Sequence, residues 1–303
     1  MTETTTNARV KVRFPSGDTE CAAWLYPGTN GGCVVMAGGF GVTKEPGTDA
    51  FAPRFHDAGF TVLAFDYRNL GESGGEPRQV LRLHDQVTDW EAALAFVSEI
   101  ADVDPAKIAL WGFSLSGGLV LEVAARNPEV AAAIAQTPNA DGRAATRNAA
   151  RHQKPLALLR FTDRALLDVI GGVFGRQPLL VPLAGKPGTL ATLTTPDALD
   201  GDRALKAERY PSWRQEVAAR SALRVGFYRP GRFASRVQCP LLVVVCEQDQ
   251  SALAKPAIRA AKRAPRGELL VLQGGHYEPF LSSHETVVDA EVSFLRRHLI
   301  ERD

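Results

Sequence analysis

The stretch Ile108-Ala109-Leu110-Trp111-Gly112-Phe113-Ser114-Leu115-Ser116-Gly117-Gly118 contains an apolar strand, a tight turn with a serine at its tip, and a helix that opens at once. That order is a nucleophile elbow. The turn is so sharp that the residues two before and two after the serine must be small, and Gly112 and Ser116 meet that need. The turn lifts the Ser114 hydroxyl out of the sheet. It also sets it at a helix N-terminus, where the dipole and free N–H groups favour developing negative charge. Two other serines compete. Ser116 as nucleophile would put Gly112 inside the strand, where glycine is unfavourable. Gly71-Glu72-Ser73-Gly74-Gly75 matches G-x-S-x-G literally, but Glu76-Pro77 follows it and no helix opens behind the serine. A serine that merely caps a helix is the plain structural alternative for Ser114.

Outward from the elbow, short apolar runs alternate with helical patterns. Arg9–Phe14 and Glu20–Tyr26 read as two strands joined by a Pro15-Ser16-Gly17-Asp18 turn. Cys33–Ala37, Thr61–Phe65, Val130–Gln136, Pro240–Cys246 and Glu268–Leu272 read as further strands. Helices are predicted over Gly47–Ala58, Val80–Glu99, Leu115–Arg126, Ala252–Ala264 and Glu285–Leu299. Val87, Trp90, Leu94 and Val97 form one stripe of the second. Strands alternating with helices predict a mostly parallel sheet covered on both faces. Residues 139–232 break the rhythm, with helix-like pieces at Pro155–Val169 and Arg203–Leu223, Pro/Gly-rich loops and no clear buried strand. They are expected to form a mostly helical cap over one edge of a core made of residues 1–138 and 233–303.

A serine hydroxyl needs a base. Of the six histidines, His276 sits in Gly274-Gly275-His276-Tyr277-Glu278-Pro279, after a strand and before the last helix. That loop falls at the carboxyl edge of the sheet, where open α/β sheets place ligands. His84, His284 and His298 read as surface residues. The third member is a carboxylate that orients the imidazole. Asp249 follows the Leu241–Cys246 strand and completes the chain order serine, acid, histidine. Glu247 is its near competitor and Asp141 a remoter one. The glycine-rich loop Met36-Ala37-Gly38-Gly39-Phe40-Gly41 supplies the backbone N–H of Phe40 to an oxyanion hole, and Leu115 N–H supplies the second donor. A phosphate loop is the other reading of those glycines, but neither G-x-G-x-x-G nor a following Lys-Ser/Thr is present.

With those residues in place, the chain resembles the α/β-hydrolase superfamily. Phe65-Asp66-Tyr67-Arg68-Asn69-Leu70-Gly71-Glu72-Ser73 looks like the family's D-x-R-x-x-G-x-S stretch, which makes Ser73 a non-catalytic look-alike. Gly75-Glu76-Pro77-Arg78, Asp89-Trp90 and Tyr228-Arg229-Pro230 are similar to a bacterial and fungal subgroup of dienelactone-hydrolase-like esterases and polyketide transferases. The resemblance implies an α/β-hydrolase fold with an eight-stranded sheet, and acyl chemistry. Two departures stand out. Gly38 replaces the histidine that usually opens the His-Gly-x-x loop, and Ser116 replaces the glycine that usually ends the elbow.

Composition sets the outer limits. The chain has 303 residues, is 45% hydrophobic and 23% charged, and balances 35 Lys+Arg against 34 Asp+Glu. That excludes disorder, and leaves no cationic excess for nucleic-acid binding. The polar start Met1–Val10 lacks a leader pattern, and no apolar run reaches the ~20 residues of a membrane span. Cys21, Cys33, Cys239 and Cys246 read as reduced thiols of a cytoplasmic protein, with a Cys21–Cys33 disulfide as the alternative. No metal or cofactor fingerprint appears, so none is expected. The expected partner is a small-molecule acyl substrate, with a homodimer left open. Phe161, Phe174, Trp213 and Phe227 are the cap residues expected to meet it, unless they only pack the cap on the core. Three activities fit: ester or thioester hydrolysis, acyl transfer in a biosynthetic pathway, and silent binding on a hydrolase scaffold.

Overall fold

A computed structural model of the chain describes residues 9–301. Residues 1–8, most of the stretch read for a leader, lie outside the described residues. Strands β1 (Val10–Ser16) and β2 (Thr19–Tyr26) form an antiparallel hairpin. Then come β3 (Cys33–Ala37), the short helices α1 (Lys44–Thr48) and α2 (Ala52–Asp57), β4 (Thr61–Phe65) and α3 (Leu83–Ser98). β5 (Ile108–Phe113) runs into α4 (Leu115–Arg126), and β6 (Ala132–Gln136) follows. After a long excursion the chain returns through β9 (Leu241–Cys246), α9 (Ala254–Arg263), β10 (Gly267–Leu272) and α10 (His284–Leu295).

The eight strands lie in the order β1-β2-β4-β3-β5-β6-β9-β10. From β4 to β10 every pairing is parallel; β2 joins the sheet antiparallel through β4. Every residue of β3, β4, β5, β6 and β9 is buried, as expected of strands covered on both faces. The register puts Phe65, Ala37 and Gly112 in one row, so Phe65 and the neighbouring Trp111 project to opposite faces. Phe65 meets Trp90 of α3 edge-on at 5.2 Å. Trp111 meets Phe51 at 5.1 Å and donates to Glu291 of α10 at 3.0 Å. The stripe Val87, Trp90, Leu94 and Val97 is buried as its spacing predicts.

The excursion between β6 and β9 holds α5 (Gly142–Arg151), α6 (Pro155–Val173), β7 (Leu180–Pro182), α7 (Gly201–Ala204), β8 (Glu216–Ala218) and α8 (Ala219–Phe227). Two sequence expectations need correction here. Val181 and Val217 are buried in a two-stranded ribbon of β7 and β8, where no strand was expected. The helix expected over Arg203–Leu223 is broken, because Pro211 falls inside it and the chain then pairs as β8. Likewise Gly47–Ala58 is two helices rather than one. The second starts afresh with Pro53 in its first turn, which lets the fully buried Phe51 turn inward onto Trp111. His284, expected at the surface, is half-buried edge-on against Phe51 at 4.9 Å. All four cysteines are free and buried. No helix among the described residues is long and apolar enough to cross a membrane.

Candidate active site

The loops after β3, β5, β6, β9 and β10 all leave the sheet at its carboxyl edge, the side on which parallel α/β sheets gather ligands. Ser114 turns the chain from β5 to α4 with φ +58° and ψ −114°, a strained conformation for a residue bearing a Cβ. Its backbone is held on three sides. Ser114 N donates to Gln136 O at 2.9 Å, and Ser114 O accepts from Gly118 N at 3.1 Å and Asn139 N at 2.9 Å. A Cβ on Gly112 would lie 2.4 Å from Ser116 O, so the turn closes only with glycine there.

His276 Nε2 lies 2.9 Å from Ser114 Oγ, and His276 Nδ1 lies 2.7 Å from Asp249 Oδ2. Asp249 Oδ1 is already taken by the N–H groups of Ser251 and Ala252 at 2.9 and 2.6 Å, which fixes the carboxylate's orientation. A carboxylate only accepts, so Nδ1 carries the ring proton. Nε2 is left free to accept from the Ser114 hydroxyl. Phe113 lies against the His276 ring at 5.1 Å, and Tyr277 meets it edge-on at 5.0 Å. Burial alone would pull the imidazole's pKa down. The charge and hydrogen bond of Asp249, with the charge of Asp197, outweigh it and hold His276 above the ordinary histidine value.

The competing acids are engaged elsewhere. Glu247 accepts from the Gln273 amide at the surface. Asp141 caps α5 through Ala144 N at 3.2 Å and pairs with Arg229 at 3.2 Å. Ser73 is structural: its hydroxyl donates to Asp66 O at 2.6 Å and accepts from Ala22 N at 2.8 Å.

The glycine loop after β3 is pinned at both ends. From below, Ser116 Oγ donates to Gly38 O. Ser116 has one proton and spends it there. Tyr67 OH, 2.6 Å from Ser116 Oγ, must therefore donate to it, and Trp90 Nε1 donates in turn to Tyr67 OH at 2.8 Å. From above, Trp213 Nε1 donates to Gly41 O at 2.9 Å. Gly41 has φ +68°, and a Cβ there would press within 2.7 Å of Leu183 and Val217. Phe40 sits between these anchors and lines the cavity in front of Ser114. Leu115 opens α4, so its N–H has no acceptor within the helix.

Two adjoining chambers lie in front of the serine. The inner one, about 100 Å³, is lined by Ser114 and His276 together with the polar Asn139, Thr192, Thr195 and Ser251. The outer one, about 490 Å³, is walled by Leu158, Phe161, Leu223 and Phe227, with Arg143 and Arg147 on the same lining. Thr146, Ala149, Thr192, Ala222 and Gly226 belong to both walls. Of the four cap residues expected at the substrate, Phe161 and Phe227 are in the outer wall. Phe174 is 75% exposed and lines neither chamber. Trp213 is buried on the glycine loop instead. Sequence reasoning missed Asp197, whose carboxylate meets the His276 loop, because nothing in the irregular Thr194–Asp200 stretch marks it. Among the described residues, no three His, Cys, Asp or Glu side chains gather as a metal would require.

A sequence model of the Alpha/beta hydrolase family matches residues 34–290, and the chain belongs to that family. It is 38% identical over 296 residues to the quorum-quenching protein AidA of Acinetobacter baumannii, covering 96% of this chain and 95% of AidA. It is 29% identical to the polyketide transferase grgF of a Penicillium species, over 91% of this chain and 92% of the relative. The crystal structure of the alpha/beta hydrolase GrgF superposes with a TM-score of 0.80 at 25% identity, covering 96% of this chain and 99% of the other.

Proposed function

We propose that the protein is a serine hydrolase that opens carboxylic esters or thioesters through an acyl-enzyme. The observation that carries this reading is the unbroken chain Ser114 Oγ, His276 Nε2, His276 Nδ1, Asp249 Oδ2, with links of 2.9 and 2.7 Å. Ser114 Oγ attacks the acyl carbon as His276 Nε2 takes its proton. Asp249 holds the ring and balances the imidazolium. The tetrahedral oxyanion is met by the N–H groups of Phe40 and Leu115, each worth about 3–4 kcal/mol on precedent. His276 then returns the proton to the leaving alcohol or thiol, and the acyl group stays on Ser114 until a second nucleophile releases it. Residues 139–232 act as a cap in this reading. The apolar acyl group lies in the outer chamber against Phe161 and Phe227, with the reacting carbonyl in the inner one.

The second nucleophile is water in the hydrolytic reading, and an alcohol or thiol in an acyl-transfer reading. The likeness to a polyketide transferase keeps transfer as the second reading. Turnover of p-nitrophenyl esters, measured with and without candidate alcohol and thiol acceptors, separates them. Free acid as the sole product supports hydrolysis, and a new ester or thioester supports transfer. A Ser114→Ala protein that keeps wild-type turnover would falsify the serine mechanism.

A further inference from the structure

Asp197 comes from the excursion between β6 and β9, precedes the short helical turn Ala198–Asp200, and makes no capping bond to it. Its carboxylate instead bonds across to two other loops. Asp197 Oδ2 accepts from Gln250 N at 2.8 Å and from His276 N at 3.2 Å, and Oδ1 accepts from Ser251 Oγ at 2.8 Å. Ser251 Oγ in turn shares a 2.7 Å hydrogen bond with Thr195 Oγ1. The side chain is thus tied at once to the loop that carries Asp249 and to the loop that carries His276. It is 7% exposed, and a buried carboxylate is costly unless its lone pairs are filled and a positive partner is near. Burial pushes its pKa up, but the His276 charge and the N–H and hydroxyl donors overcome that and leave it below the ordinary value.

We propose that Asp197 is a positioning residue that clamps the loops of the acid and the base together and supplies a second negative charge to stabilise the His276 imidazolium. The inference rests on the serine-hydrolase reading above. Asp249 meets the imidazole from the loop after β9 and Ser114 from the elbow, Asp197 reaches the backbone N–H of His276 from the excursion, and Tyr277 stands beside the ring on its own loop. Asp200, Asp202, Glu278 and Cys246 lie further out in the same region. Both charges that act on the ring are negative. Each favours the cation that forms when Ser114 gives up its proton, so the base is strengthened as the transition state is approached. The cap thereby contributes to the proton transfer as well as to the substrate chamber.

The test is the pH dependence of ester turnover by the full-length protein, wild type against Asp197→Asn, with the His276 ring titrated by NMR in both. Asparagine keeps an acceptor and removes the charge. The acid limb of kcat/KM and the His276 titration should both move to lower pH, by at least about half a pH unit. The value of kcat should fall about 10-fold while KM changes little. Asp197→Glu, which keeps the charge, should leave the limb in place, and Asp197→Ser is the second uncharged variant should the asparagine protein not fold. A His276 titration identical to wild type in an uncharged variant, with losses confined to Tm, overturns the inference. The NMR arm reads Asp197 even if the wild type proves inert toward esters, so failure of the inference and failure of the functional reading are told apart.

Discussion

At position 116 the two departures from the superfamily pattern meet. The loop lacks its usual histidine at Gly38 and the elbow lacks its usual glycine at Ser116, yet the Ser116 hydroxyl donates to the Gly38 carbonyl and takes a bond from Tyr67. The hydroxyl braces the loop at the Gly38 carbonyl. Ser116→Gly, although it restores the usual residue, should therefore lower kcat about 5- to 20-fold with little change in KM. One buried hydrogen bond to the glycine loop is lost and the Tyr67 hydroxyl loses its acceptor. Steady-state kinetics on a p-nitrophenyl ester read this, and unchanged kcat would refute it. A second residue-scale expectation concerns His276. In the proposed mechanism its neutral form is the base, and its pKa is held above the ordinary value, so activity should be lost as pH falls through a point above the ordinary histidine value. The inflection of kcat/KM against pH checks this. The grouping of Ser114, Asp249 and His276 was legible because elbow, chain order and loop position are all written in sequence. Asp197 was not, since its partners, two backbone N–H groups and the Ser251 hydroxyl, sit on loops distant in sequence and leave no mark on local pattern.

Among the elements, the central parallel strands were the easiest to read, because burial on both faces writes itself as unbroken apolar runs. The connections were harder, because tertiary contacts decide them. Lys44 shows why. Its fully buried ammonium is bonded to Asp66 at 2.9 Å and Glu72 at 2.8 Å, a cage that fixes the start of α1 and no local propensity announces. Its bonds to Lys11 and Lys44 bring the Glu72 carboxyl down to about 2. Arg68 is bonded in the same way to Asp89 of α3 at 2.7 Å, which explains the D-x-R pattern as scaffold. On the other face, α10 carries Glu291, fully buried, with Trp111 Nε1 on one oxygen and no partner on the other. Burial holds this carboxyl protonated well above the usual range. The folded state therefore binds its proton more tightly than the unfolded state, and the stability it permits is lost as pH rises above the ordinary glutamate value. Glu291→Gln should raise Tm at pH 8 by about 2–6 °C, with the gap closing toward pH 5. Thermal melts across that range check it, and a gap that widens toward acid would contradict it.

Over the whole molecule, residues 139–232 meet the loops at the carboxyl edge of the sheet at several separate points. Trp213 holds the glycine loop, Asp197 ties the loops of Asp249 and His276, and Phe161 and Phe227 wall the outer chamber. The sequence suggested an insertion through its broken rhythm and apolar content, but it could not separate residues that line a chamber from residues that brace a loop. Trp213 and Phe174 show this: both are aromatic, yet one is buried as a hydrogen-bond donor and the other lies in solvent. If the outer chamber takes the acyl chain, Phe161→Ala should cut kcat/KM for long-chain p-nitrophenyl esters about 5- to 50-fold and leave the acetyl ester within about twofold. Equal losses on short and long chains would place the chain elsewhere. The near-zero net charge agrees with a substrate that needs no electrostatic capture.

Whether Ser114 is a nucleophile activated by His276 is read most directly by covalent labelling with a fluorophosphonate probe followed by peptide mass mapping. One adduct is expected, on the peptide containing Ser114, formed rapidly in wild type, at least about 100-fold more slowly in His276→Ala and not at all in Ser114→Ala. An unlabelled wild-type protein, or an adduct on Ser73, Ser116 or any other residue, would contradict it.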